Sequence, residues 1–339
     1  MKAAVLQSFG APLALLDLAV PEPGPDEVLL RVQACGVCHS DLHIIDGDTP
    51  GFKAGTKAQL IPGHEVVGTV VKRGADVSHL ALGQRVGAAW LHWACGQCDQ
   101  CQEGRENLCR KGTVSGMTVD GGYAEFMRAK ASHAIPVPDA LSSAEGAPLF
   151  CAGVTSYRAI HQAGVGPGQR VAVVGVGGLG HLALQIARAR GAEVIALDVA
   201  DDKLAAAKAL GAAHAFNALS PETPKAVRGL GGAHVAVVTS AARAAYDLAL
   251  KCLRPGGTLS VVGLPPQPLQ FGALQLVGGE FRIIGSAVGT REDLRATLAL
   301  AASGQLHCQV TQRPLSDVNA VLDDMRAGTL AGRTVLAFS

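Results

Sequence analysis

Val171-Ala172-Val173-Val174-Gly175-Val176-Gly177-Gly178-Leu179-Gly180 is the stretch that decides the fold. Four apolar residues, three of them β-branched, read as a buried strand that runs into glycines. Leu179, Leu182, Ala183, Ile186 and Ala187 then fall on one face of a helix. A second apolar run, Glu193 to Leu197, ends at Asp198, 18 positions after Gly180. A lone G-x-G-x-x-G says little, but one set between a strand and a helix with an acidic residue at that distance has a physical meaning. Gly175, Gly177, Gly178, Leu179 and Gly180 let the backbone approach a pyrophosphate at a helix N-terminus, where unpaired N–H groups and the helix dipole favour anions. Asp198 can accept hydrogen bonds from both hydroxyls of an adenosine ribose. Its charge repels a 2′-phosphate, so the pattern reads as NAD rather than NADP.

Outward from this stretch, strand and helix patterns alternate from Gln169 to Ser286. Expected strands at His234–Val238, Thr258–Val262 and Arg282–Ile284 complete a doubly wound parallel sheet of six. Residues 1–152 read instead as short strands and loops, with Val28–Val32 after the turn-forming Pro21-Glu22-Pro23-Gly24-Pro25, then Val66–Val71 and Ala124–Met127. Asp46–Pro62 reads as a loop. The last segment, 288–339, closes on Gly332-Arg333-Thr334-Val335-Leu336, a strand that would return to the first domain. The expected division is therefore 1–152, 153–287 and 288–339.

The 339 residues suffice for two domains, and 48% apolar residues can fill their cores. A net charge of +1 without a basic or acidic block argues against nucleic acid or an anionic membrane as partner. The N-terminus lacks a signal-peptide core, and no apolar run reaches the ~20 residues of a membrane span. Nine cysteines in such a chain point to metal or catalysis rather than disulfides, and to the cytoplasm.

Cys95-x2-Cys98-x2-Cys101-x7-Cys109 is the strongest local signal. Four thiols at this spacing close around one tetrahedral ion and leave no open position, the mark of a structural zinc. An iron–sulfur cluster is the rival occupant. The exposed charged loop around Gly104-Arg105-Glu106, and the absence of any other electron-transfer feature, argue against it. Cys35 to His43 concentrates thiols, imidazoles, a hydroxyl and a carboxylate, and on its own reads equally as a metal site, a redox thiol or a chance cluster. Gly63-His64-Glu65 and Cys151 turn the reading toward metal. Cys38, His64 and Cys151 would leave a tetrahedral zinc one open position, as catalytic sites do.

These residues together resemble the zinc-dependent medium-chain alcohol dehydrogenases, most closely the tetrameric bacterial and yeast branch. The resemblance runs through Cys-Gly-Val-Cys-His-Ser-Asp-Leu-His, Pro-Gly-His-Glu, the four-Cys lobe, Asp-Gly-Gly-Tyr-Ala-Glu, Cys-Ala-Gly-Val-Thr, the glycine turn and the closing Gly-Arg-Thr. It implies a GroES-like β-rich catalytic domain plus a Rossmann domain, an α/β architecture, with two zinc ions and NAD per chain in a homotetramer. By the same resemblance Cys38, His64 and Cys151 hold the catalytic zinc, while Asp41 and Glu65 stand behind them and Glu65 reaches the metal transiently. His39 and Arg333 would neutralise the NAD pyrophosphate, Thr155 would contact the nicotinamide, Val262 and Leu264 would offer backbone groups to its carboxamide, and Lys203 would assist at the ribose.

The chemistry agrees with this expectation. A free alcohol is a weak acid at neutral pH, and zinc can bring such a group to about pH 7. Ser40 and His43 lie two and five positions from Cys38, so a hydroxyl and an imidazole could conduct the released proton outward. The bland reading makes Ser40 and Asp41 helix caps and His43 a surface histidine. Thr49 stands where many relatives of this branch carry Trp, which implies a pocket for bulkier alcohols, with Trp90 lining it. The alternative is that the 50–60 loop, Trp90 or Trp93 refills the space. Cys35, Cys252 and Cys308 read as buried small residues. A non-catalytic NAD-binding protein on the same scaffold is the opposing reading. Within enzymes, the rival substrates are polyols or formaldehyde conjugates.

Overall fold

In the computed structural model residues 1–330 and 332–338 are described. Two compact units emerge. The first comprises 1–151, 290–302 and 308–339; the second comprises 152–289 and 303–307. Expected boundaries lay at 152/153 and 287/288. Ser303–His307 belongs to the second unit, where the Gln185 side chain bonds both the carbonyl and the N–H of His307 at 2.9 Å.

In the first unit everything leans on the strand Glu27–Gly36, longer than the expected Val28–Val32. It pairs antiparallel with Glu65–Arg73, Phe126–Lys130 and Arg333–Ala337. The seven-stranded sheet runs Val310–Pro314, Arg333–Ala337, Glu27–Gly36, Glu65–Arg73, Arg85–Ala88 and Ile135–Pro136, with Phe126–Lys130 paired to Glu27–Gly36 off this path. Leu30, Val32, Val66, Val70 and Val86 are all but fully buried in the resulting core, with Ile44 and Ile45 from the helix His39–Asp46. The register matters for the site. Gly36 lies opposite Glu65 and Val335, so strand pairing puts the start of the Cys38 loop beside Glu65 and the return strand.

The expected loop at Asp46–Pro62 contains a short helix, Pro50–Gly55, with Thr49 at its N-cap and proline in its first turn. Proline suits that position because its missing N–H would have no partner there. The two glycines and six-residue length hide the helix from periodicity. The strand expected at Ala124–Met127 forms at Phe126–Lys130.

The second unit is a six-stranded parallel sheet in the order His214–Asn217, Glu193–Asp198, Arg170–Val174, Ala233–Val238, Leu253–Val261, Arg282–Gly285. This is the doubly wound Rossmann order, in which ligands bind where the strand sequence reverses. Val171, Ala172, Val173 and Val174 are buried, as are Leu182, Ala183, Ile186 and Ala187 on the helix Gly180–Ala189. No helix among the described residues is long and apolar enough to cross a membrane.

Candidate active site and metal centres

Cys95, Cys98, Cys101 and Cys109 converge from a loop and two short helical turns. Their Sγ atoms stand 3.5 Å apart for 95–109 and 98–101, and 3.9 Å apart for 95–101 and 98–109. Four sulfurs bound at 2.3 Å to one tetrahedral centre lie about 3.8 Å from each other, so the thiols already outline a zinc shell. All four are free of disulfides. N–H groups of Gln97 and Cys98 bring the Cys95 thiol down to about 6, favouring the thiolate a metal needs. The lobe is tied to the helix Arg291–Ala302 by Arg291, whose Nε and Nη2 grip Glu106 at 2.9, 3.1 and 2.5 Å.

The second cluster lies wholly within the first unit. One ligand atom each from Cys38, His64, Glu65 and Cys151 falls within 4.8 Å of the others, and all four residues are buried. Cys38 is the N-cap of the helix His39–Asp46, so the bland reading of Ser40 and Asp41 as its N-cap does not hold. Asp41 sits at the third helical position and its Oδ2 accepts the Cys38 N–H at 3.0 Å. His64 Nδ1 lies 2.8 Å from Asp41 Oδ1. A carboxylate only accepts, so Nδ1 donates to it, which leaves Nε2 as the atom a metal would take. That Nε2 is buried without a hydrogen-bond partner, as is Glu65 Oε2. Orphaned buried acceptors call for an explanation, and a cation beside two thiols supplies one. Cys38 and Cys151 share a hydrogen bond, which pulls the Cys38 thiol well below its ordinary value and pushes Cys151 well above. Two cysteines competing for one proton is the state a divalent ion would relieve.

Glu65 and Arg333 form a buried pair. Arg333 Nη2 donates to Glu65 Oε1 at 2.5 Å and to the Val37 carbonyl at 3.1 Å. Burial raises the Glu65 carboxyl to about 7, against the pull of Arg333. A Cβ at Gly36 would sit 1.9 Å from Glu65 Oε2, so glycine is required there for the carboxylate to enter. The guanidinium expected to face a pyrophosphate is thus engaged with Glu65, a partnership across 268 positions that the sequence did not disclose.

His43 has a partner that the sequence does not announce. Its Nδ1 meets both oxygens of Asp48 at 2.9 and 3.0 Å. Gly47 makes this possible by ending the helix in a left-handed turn at φ 64°, which folds Asp48 back. His39 opens the helix and is exposed, and Ser40 is half-buried beside it. Thr49 Oγ1 bonds Asp48 Oδ1 at 3.0 Å. Trp90 meets the His64 ring edge-on at 5.0 Å, and Phe52, from the helix read as loop, packs on Trp90 at 5.7 Å. Asp48 and Phe52 are site residues the sequence reading missed.

In the second unit the glycine turn Gly175–Gly180 joins the strand Arg170–Val174 to the helix Gly180–Ala189. A Cβ on Gly180 would lie 1.8 Å from the Gly175 carbonyl, so the turn closes only with glycine. Asp198 ends its strand, buried, with Oδ2 accepting the Val176 N–H at 2.6 Å and Oδ1 accepting the Ala200 N–H at 3.1 Å. It braces the turn as well as offering lone pairs. Thr155 is buried in the helix Ala152–Gln162, and Lys203 is exposed on the helix Asp201–Ala209. The Val262 N–H is given to the Val238 carbonyl, which leaves Val262 its own carbonyl to present; Leu264 is exposed.

Comparison with known proteins bears on these sites. Residues 24–139 match the family model of the alcohol dehydrogenase GroES-like domain, and residues 178–303 match that of the zinc-binding dehydrogenases. The chain is 45% identical over 337 residues to an alcohol dehydrogenase of Geobacillus stearothermophilus, covering 99% of each. The alcohol dehydrogenase of the hyperthermophilic archaeon Aeropyrum pernix superposes with a TM-score of 0.90 at 35% identity over 100% of both chains. Acetophenone reductase from Geotrichum candidum, solved in complex with NAD, gives a TM-score of 0.90 at 33% identity over 99% of this chain and 97% of that one.

Proposed function

The chain belongs to the zinc-dependent medium-chain alcohol dehydrogenases, and from that premise we propose that it interconverts primary or secondary alcohols with aldehydes or ketones, NAD taking the hydride. The observation that carries the reading is the buried set Cys38, His64, Glu65 and Cys151, with His64 Nε2 left unpartnered. Cys38, His64 and Cys151 would hold the catalytic zinc, and Cys95, Cys98, Cys101 and Cys109 a structural one. Bound there, zinc supplies a Lewis acid that makes an alcohol acidic near neutral pH, and NAD supplies the hydride acceptor.

The chain's own groups do the rest. Asp41 fixes the His64 tautomer and ring direction. Arg333 holds one oxygen of Glu65 and keeps the other turned inward. Ser40 would take the alcohol proton and pass it toward His43. Asp48 holds the proton of His43 at Nδ1, so Nε2 is the atom that receives. The glycine turn would seat the pyrophosphate, aided by His39. Asp198 and Lys203 would bind the ribose, and Thr155, Val262 and Leu264 the nicotinamide end. The homotetramer implied by the family likeness is supported by large apolar side chains left exposed in the second unit, Leu264, Leu274 and Val277.

Initial rates over a panel of alcohols, with NAD and NADP in parallel, test this reading; no alcohol oxidised with either cofactor would end it. Asp198→Ala should raise the KM for NAD by about tenfold or more, since each lost charge-assisted hydrogen bond is worth ~1.5–3 kcal/mol. A wild type that uses NADP as readily as NAD would remove Asp198 from cofactor choice.

Substrate size is the finer question. With Thr49 in place of a Trp, medium-chain or aromatic alcohols should exceed ethanol in kcat/KM by roughly tenfold, as each well-packed methylene is worth ~1–3 kcal/mol. Thr49→Trp should cut activity on large alcohols and spare ethanol. A wild type that prefers ethanol, with an unchanged Trp variant, would give the pocket to Trp90, which meets the His64 ring, and to Phe52 packed on it.

A further inference from the structure

Asp41 is fully buried and accepts from four donors. Oδ1 receives the Gly63 N–H at 3.2 Å and the His64 ring at 2.8 Å. Oδ2 receives the Cys38 N–H at 3.0 Å and the Tyr123 hydroxyl at 3.0 Å. Three donors come from the two segments that contain Cys38 and His64. Tyr123 comes from a third, 82 positions from Asp41, and among the described residues is the one side chain outside those segments that reaches the carboxylate. From this we infer that Tyr123 is a positioning residue for the Cys38–His64–Cys151 centre, acting through Asp41 on the direction of the His64 ring.

The backbone around Tyr123 is built for the task. Gly121 N–H donates to the Ile61 carbonyl at 2.7 Å, Gly122 N–H to Gly63 at 3.0 Å and Tyr123 N–H to Pro62 at 3.0 Å. Asp120 Oδ1 accepts the Ile61 N–H at 3.1 Å. The segment 120–123 is therefore fastened residue by residue to the segment that ends in His64. The Tyr123 carbonyl accepts the Ala4 N–H at 2.8 Å, which ties the same residue to the N-terminal strand. The Tyr123 ring has no exposure, so its hydroxyl has no water to turn to. A donor held this firmly fixes the carboxylate at Oδ2, the oxygen that His64 does not bond. Without Tyr123 the carboxylate keeps Cys38 N–H on Oδ2 and Gly63 N–H on Oδ1, both from the segments it orients, so its plane is less tightly fixed and the imidazole bonded to it shifts with it. Loss of a ligating histidine's own hydrogen-bond partner alters metal affinity or activity by about 10–100-fold, and Tyr123 acts on that partner, Asp41.

The inference rests on the reading that Cys38, His64 and Cys151 bind zinc, so the experiment separates the two. Purified full-length enzyme, Tyr123→Phe and His64→Ala are challenged with the chromogenic chelator 4-(2-pyridylazo)resorcinol, and zinc release is timed. The variants are also reconstituted with Co²⁺ for their d–d spectra. Tyr123→Phe should fold with the wild-type melting profile, release one of its two zinc ions faster, by up to about tenfold, and shift the Co²⁺ bands. Its kcat should fall while the KM for NAD stays put. Release kinetics and a Co²⁺ spectrum like those of wild type would overturn the positioning role, and so would equal acceleration of both zinc ions together with a lowered melting temperature, which marks ordinary packing. A His64→Ala enzyme that keeps both zinc ions would instead overturn the metal-site reading itself.

Discussion

Cys38→Ser should abolish turnover, lower the zinc content from two ions per chain to one, and leave the protein folded. The three outcomes follow from one residue's two duties. As a ligand, Cys38 offers a thiolate already eased toward deprotonation by Cys151 and His64, whereas a serine hydroxyl stays protonated and binds zinc poorly. As a helix cap, Cys38 stands where serine is a preferred residue type, so the helix His39–Asp46 loses nothing by the change. Its N–H still reaches Asp41. Cys98→Ser is the matched control, since Cys98 also precedes a short helix, Asp99–Gln102, and also keeps its backbone there. A closed shell of four thiolates contributes folding energy directly. Its loss should lower the melting temperature. The lobe's grip on the helix Arg291–Ala302 through Glu106 and Arg291 spreads the damage. Elemental analysis, calorimetry and steady-state rates decide the matter together. A Cys38→Ser enzyme with two zinc ions and normal rates would sink the assignment of the first site, and a Cys98→Ser enzyme of full stability would sink that of the second.

What could be read in advance was whatever the chain writes locally. The glycine turn, its flanking strand and helix, and the four-Cys lobe each lie within 30 residues, so spacing alone carries their geometry. The ligand trio is different. Cys38, His64 and Cys151 span more than 100 positions and were assembled from family-like motifs, with the sheet register of Gly36 opposite Glu65 supplying the physical reason afterwards. The misses have physical causes of the same kind. Arg333 meets Glu65 because the last strand pairs with Glu27–Gly36 at Val335 and Gly36, a register that no local pattern encodes. Asp48 meets His43 because Gly47 turns left-handed, and a glycine there is compatible with many turns. Phe52 reached Trp90 by way of a helix too short and too rich in glycine to show a period. Tyr123 was visible as part of a motif, but its acceptor was not.

Lowering the pH from 7.5 to 5.0 should destabilise the protein by roughly 2–4 kcal/mol through two histidines that take no part in the proposed chemistry. His92, on the strand Leu91–Trp93, and His133 are both buried, and His92 Nδ1 and His133 Nε2 lack hydrogen-bond partners. Burial is the main cause that brings each down to about 4. Around His92 stand Glu27 and Asp26, which favour its charged form, and Lys130 and Arg128, which oppose it. Around His133 stand Arg291, which opposes the charge, and Glu106, which favours it, with His92 adding to the opposition. An unfolded histidine titrates near 6.5. Between pH 6.5 and 4 the unfolded chain therefore binds more protons than the folded one, and stability falls as the pH falls. The contribution is intact above 6.5 and is lost by about 4. At pH 5 a histidine with these two values costs about 2 kcal/mol, a figure limited by the unfolded value of 6.5, so the pair together cost at most about twice that. The paired carboxylates nearby titrate lower. Glu106 is held below its ordinary value despite its burial, by its bonds to Arg291, so its own loss begins near the bottom of this window. Urea unfolding of wild type and of His92→Gln/His133→Gln, at pH 7.5 and 5.0 with zinc content checked at each, isolates the effect. The double variant should lose at least half of the acid sensitivity. If its stability falls with pH as steeply as that of wild type, these histidines are not the acid-sensitive groups.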